Sequence, residues 1–105
     1  MQEAPSDMVK VLMDRGVDIP LPQTVYIGPD VHPEMISGKD VVIYPGCRIS
    51  GSTTVIMEGC VLGADGPVTL RDCQLGKGVR LASGSFDKSC FLDGAQMGPG
   101  AHVRA

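Results

Sequence analysis

An aliphatic lead residue, a Gly or Asp three places later and a small residue one place beyond form a frame that recurs along this chain at spacings of 6 and 13 residues. The leads are Ile27, Ile43, Ile56, Leu62, Leu75, Leu81, Phe91 and Met97. The corner residues are Asp30, Gly46, Gly59, Asp65, Gly78, Gly84, Gly94 and Gly100. Past them stand Val31, Cys47, Cys60, Gly66, Val79, Ser85, Ala95 and Ala101. Ile43, Leu62 and Leu81 are 19 apart, as are Ile56 and Leu75. Hexapeptide units closing into coils predict a β-helix solenoid.

The frame has a physical reading. Each short strand points one aliphatic side chain inward, Gly or Asp accepts the left-handed backbone at the corner, and a small residue packs just beyond it. A coil buries its apolar face only against neighbouring coils, so several are needed. A β-sandwich with Gly-rich turns is the competing fold, but a sandwich does not require Gly and a small residue at fixed offsets. The expected fold is all-β: a parallel β-helix of about four coils with a short N-terminal helix. Gly is 14 of 105 residues and aromatics are 4%, which suits a narrow core of Ile, Leu and Val layers.

The chain has room for one domain. Residues 1–24 are expected to form a helix and an extended lead-in that caps the solenoid, and residues 25–105 the β-helix. The helix is read over Ser6 to Arg15, with Ser6 as N-cap, Met8, Val11 and Leu12 on the apolar face and Gly16 as stop. Pro20 and Pro22 then force an extended path. The frame is weakest between Val31 and Val42, and Gly84 to Cys90 reads as a small corner loop. The chain stops at Ala105 in mid-coil without a capping segment, from which C-terminal truncation or end-to-end assembly is expected.

Net charge is −3 with both signs scattered, which argues against a nucleic-acid footprint. There is no membrane-length apolar run and no signal-peptide pattern, so the expected address is cytoplasmic and no membrane partner is expected. Without Asn, N-linked glycosylation is excluded. Cys47, Cys60, Cys73 and Cys90 lie 13, 13 and 17 apart with no C-x-x-C pair. Packing is their favoured role, with zinc or disulfides as alternatives, and no metal site is expected. His32 and His102 are read as turn or packing residues, and no catalytic residue is assigned.

With these residues in view, the chain from about Val17 onward resembles the left-handed β-helix hexapeptide family. Within it, the chain is most similar to the acetyltransferase half of bifunctional UDP-N-acetylglucosamine pyrophosphorylase/glucosamine-1-phosphate acetyltransferases and to their stand-alone relatives. The resemblance rests on Gly16-Val17-Asp18-Ile19-Pro20 with Thr24-Val25-Tyr26-Ile27, and on Met97-Gly98-Pro99-Gly100-Ala101-His102-Val103-Arg104. It alone implies the left hand, since parallel crossovers are otherwise right-handed. It also implies a homo-oligomer, a trimer by analogy, and a sugar-phosphate or nucleotide-sugar ligand, with Arg104 as the substrate-binding residue. A guanidinium can grip phosphate with two parallel bonds. Gly100 replaces the family's aromatic, Ala105 its proline, and the lysine, tyrosine and histidine of the family's site have no counterpart here. No cofactor is therefore expected in this chain, and acetyl-CoA belongs to a full-length parent. The first expectation is the leading β-helix section of a UDP-N-acetylglucosamine-related acyltransferase-like protein, inactive alone; the alternative is a non-catalytic scaffold. An independent small acyltransferase is disfavoured, because no coenzyme loop has a place.

Overall fold

The computed structural model describes residues 7–99 and the backbone of a closing strand over 101–104. A helix, α1 (Asp7–Asp14), is followed by twelve short strands: β1 (Tyr26–Ile27), β2 (Val42–Ile43), β3 (Arg48–Ser50), β4 (Val55–Ile56), β5 (Val61–Leu62), β6 (Val68–Arg71), β7 (Gln74–Leu75), β8 (Arg80–Leu81), β9 (Gly84–Asp87), β10 (Cys90–Phe91), β11 (Gln96–Met97) and β12 (Ala101–Arg104). Every pairing among them is parallel, and they fall into three sheets. One face carries β1-β3-β6-β9-β12, the next β4-β7-β10, and the third β2-β5-β8-β11. The chain visits these faces in rotation and builds a three-sided parallel β-solenoid of about four turns.

The inward residues stack in register. Ile27, Ile49, Leu70 and Phe86 line the five-strand face, Ile56, Leu75 and Phe91 the three-strand face, and Ile43, Leu62, Leu81 and Met97 the four-strand face. The expected 19-residue ladders are real stacks. Ile49, Leu70 and Phe86 lie outside the frame read from the sequence, although all three are buried. They were hidden because the corners on either side of their face vary in length. The step from Ile43 to Ile49 is 6 residues and from there to Ile56 is 7, whereas Leu62 to Leu70 is 8 and on to Leu75 is 5. The two routes have the same total, so the outer spacing repeats while the middle position moves. In the next turn both steps are 5, and Leu81 to Met97 is only 16.

The same shift moves the small positions on the five-strand face. Gly66 and Ser85 do not take the inward corner there; Val68 and Gly84 do, as the first paired residues of β6 and β9. Gly84–Asp87 is a strand rather than the expected corner loop, because shortening both corners leaves these residues in line with Val68–Arg71. Between the three-strand and four-strand faces the corner is constant. Asp40, Gly59, Gly78 and Gly94 occupy it in successive coils with φ of 57°, 79°, 69° and 77°. This is left-handed backbone, which Gly adopts freely and Asp tolerates.

Helix α1 closes the first coil, packed on β1 and on the Pro33–Met35 turn. Its buried residues are Val9 and Leu12, while Val11, expected on the apolar face, is 41% exposed. Met8 and Leu12 thus keep the expected face, Met8 packed against the core, and Val9 takes the place on it expected of Val11. Its end matches expectation: Gly16 N–H donates to the Met13 carbonyl at 3.0 Å and Val17 N–H to Leu12 at 3.1 Å. That paired capping satisfies two otherwise orphaned carbonyls and brings buried Val17 against buried Leu12. Arg15 Nη2 then donates to the Ile36 carbonyl at 3.4 Å, tying the helix to the first turn. Ser6, the expected N-cap, lies outside the described residues.

Candidate functional site

Arg104, the substrate-binding residue implied by resemblance, lies on β12 with its Cα opposite Asp87 and in one row with Arg71 and Ser50. His102 stands opposite Ser85. Both side chains lie outside the described residues. Below them the five-strand face is polar. Arg48 lies 5.2 Å from the centre of the Tyr26 ring, Thr69 and Arg71 are exposed, and one carboxylate oxygen of Asp87 is buried with no hydrogen-bond partner among the described residues. His32 is exposed, with Nδ1 3.6 Å from Glu34 Oε1 in the irregular first turn. Among the described residues no set of three His, Cys, Asp or Glu side chains could hold a metal ion.

The cysteines divide three to one. Cys47, Cys60 and Cys73 are wholly buried, one at the inner side of each of the three corners, in line with Val25 and Val68, with Val41 and Val79, and with Thr54 and Ser89 respectively. Burial pushes each of these thiols above its ordinary pKa. They donate to backbone oxygens instead, Cys60 to Gly76 at 3.1 Å and Cys73 to Phe86 at 3.3 Å. Packing is thus the role of these three. Cys90 departs from the expectation: it points outward from β10, exposed, with Sγ 2.9 Å from Gln74 Oε1. It occupies the outer position of a strand, where the pleat alternates the side chains between faces.

Cys90 opens onto a shallow groove of about 600 Å³ lined by Val55, Met57, Gln74, Phe91, Leu92 and Asp93 among others. A neighbouring hollow of about 360 Å³ continues it past Met57 to Met35. The outward row of the three-strand face, Val55, Gln74 and Cys90, carries no charge, while Asp93, Glu34, Lys39 and Glu58 line the edges of the two hollows. Met35, Met57 and Leu92 are exposed there, Leu92 by 85%. Charge is held at its margin, where Glu58 meets Lys39 at 3.7 Å and Lys77 at 3.5 Å. Sequence reasoning missed this face because it needs the register: Met35, Val55, Gln74 and Cys90 become neighbours only once the coils are stacked.

No helix among the described residues is long and apolar enough to cross a membrane. Comparison with protein-family models, with curated proteins and with solved structures returns no match.

Proposed function

We propose that this chain is the β-solenoid section of a UDP-N-acetylglucosamine-related acyltransferase-like protein, and that it assembles with copies of itself, as a trimer, through the three-strand face. The observation supporting assembly is the contrast between faces. The outward rows of β4, β7 and β10 present Met57, Val55, Cys90 and Leu92, whereas those of β3, β6 and β9 present Arg48, Thr69, Arg71 and Asp87. Contiguous exposed apolar surface of this kind marks interaction sites. A second copy suits a shallow strip whose outward row carries no charge, because closed symmetric assembly pairs one patch with equivalent ones. The chemical half of the proposal rests on the resemblance at the two ends of the solenoid. In that reading Arg104 holds a sugar-phosphate acceptor and acetyl-CoA belongs to the whole protein. A scaffold without chemistry is the second reading, favoured by the same apolar face.

Sedimentation velocity tests assembly: the parent chain is expected to be oligomeric and Leu92→Asp monomeric, with the helical and strand signals retained. A parent that stays monomeric over a wide concentration range overturns it. Thermal shift with acetyl-CoA, sugar phosphates and UDP-sugars, on this chain and on its full open reading frame, tests the chemistry. A response that Arg104→Ala removes supports the enzyme, and no response from either protein leaves the scaffold.

A further inference from the structure

The four-strand face holds a smaller and more enclosed cleft of about 150 Å³, lined by Val61, Ala64, Arg80, Ala82, Gln96 and Met97. Its origin lies in one corner. From Leu62 to Leu70 the chain takes 8 residues where the turn before takes 6 and the turn after 5. The surplus folds over the next coil, with Asp65 N–H and Gly66 N–H both donating to the Ala82 carbonyl, at 2.9 and 3.2 Å. Ala64 is thereby held as a wall beside β8. Arg80 and Gln96 are register partners on β8 and β11, so a guanidinium and an amide stand on adjacent rungs at the cleft. Val61 and Ala82 supply an apolar floor. Arg80 has no ion pair among the described residues, and Asp65 in the overhanging corner is not among the lining side chains.

We infer that this cleft binds a small carboxylate carrying a compact apolar body. A planar, permanently charged guanidinium accepts a carboxylate through two parallel hydrogen bonds, and Gln96 can donate a third. The volume matches a cavity that holds one benzene ring, so the apolar part is of about six heavy atoms. An ordinary surface arginine would lack the wall at Ala64 and the floor at Val61 and Ala82. The inference is independent of the proposed assembly, because the cleft and the apolar groove lie on different faces.

Titration of the ¹⁵N-labelled chain with benzoate, benzamide and inorganic phosphate tests it. Benzoate should saturate and move the backbone amides of Ala64, Arg80, Ala82 and Gln96. Benzamide, which keeps the ring and loses the charge, should bind at least tenfold more weakly, and so should benzoate to Arg80→Met. Arg80→Lys separates bidentate recognition from charge alone and should restore less than half of the lost affinity on a logarithmic scale. The inference is overturned if benzamide matches benzoate, if phosphate moves the same amides as strongly, or if the shifts centre on Arg48 and Arg71. A retained dispersed spectrum in Arg80→Met shows that any loss is not loss of fold.

Discussion

Cys60 offers the sharpest test of how the coils are packed. It sits wholly buried at the constant corner, between Val41 in the turn before and Val79 in the turn after, both buried as well. Replacing it with Leu adds two heavy atoms where neither neighbour has room to retreat toward solvent, and removes the Sγ donor that reaches the Gly76 carbonyl at 3.1 Å. Overpacking of this kind costs about 1–3 kcal/mol. Cys60→Val adds one heavy atom and reproduces the side chain already used directly above and below, so it should cost less than about 1.5 kcal/mol. Urea unfolding monitored by circular dichroism separates the two, provided the variants keep the parent's slope, which shows that the unfolding reaction is unchanged. In thermal melts the Leu variant should fall by roughly 4–8 °C for each kcal/mol lost. If Cys60→Leu unfolds at the parent's midpoint, or if Val proves worse than Leu, the inward placement of the corner residues is wrong.

Four further predictions concern backbone and thiols. Gly78→Asn should cost under about 1 kcal/mol in the same urea assay, since Asp40 already holds that corner at φ 57° and no atom lies near an added Cβ. Gly51→Ala should cost about 1–3 kcal/mol, because Gly51 has φ 100° and an added Cβ would collide with the Asp72 carboxylate and backbone nitrogen. In the monomeric Leu92→Asp chain, an aromatic disulfide reagent near neutral pH should label Cys90 alone, with Cys47, Cys60 and Cys73 reacting only on unfolding; rapid labelling of all four refutes the burial. Because those three thiols have raised values when folded, the unfolded chain loses its thiol protons first. Stability should therefore hold up to about pH 8.5 and decline as pH rises through the thiol range. A triple Cys→Val variant that keeps the same decline would point to other groups.

The solenoid was legible because the step from the three-strand to the four-strand face repeats in three turns, 6 residues from Ile56 to Leu62, Leu75 to Leu81 and Phe91 to Met97, with 7 from Ile36 to Ile43 in the first. A fixed step needs a fixed corner, and a fixed corner demands Gly or Asp, so periodicity and residue type agree there. The face through Ile49, Leu70 and Phe86 was illegible for the converse reason: its corners differ in each turn, and Gly, Asp72 and Lys88 all take left-handed backbone around it. Helix α1 was readable by its stop signal, but the choice between Val9 and Val11 depends on the tilt at which it meets β1 and the Pro33–Met35 turn. The apolar groove and the Arg80 cleft share one cause of invisibility. The register partners that build them are 16 to 20 positions apart in the chain and adjacent only across rungs.

The ionic row at the constant corner bears on how such a chain finds its own order while folding. Coils built to one plan offer similar apolar ladders, so Ile43 could meet Leu81 as well as Leu62, but the skipped turn would then lose the burial of Ile49, Ile56, Cys60 and Leu62. The same slip would set Lys39 against Lys77 in place of Glu58. Exposed pairs of this kind add little to the stability of the finished structure, but like charges placed opposite one another are penalised. The alternation of sign along this row thus adds a like-charge penalty at the margin to the larger loss of burial in the core when a single coil is omitted.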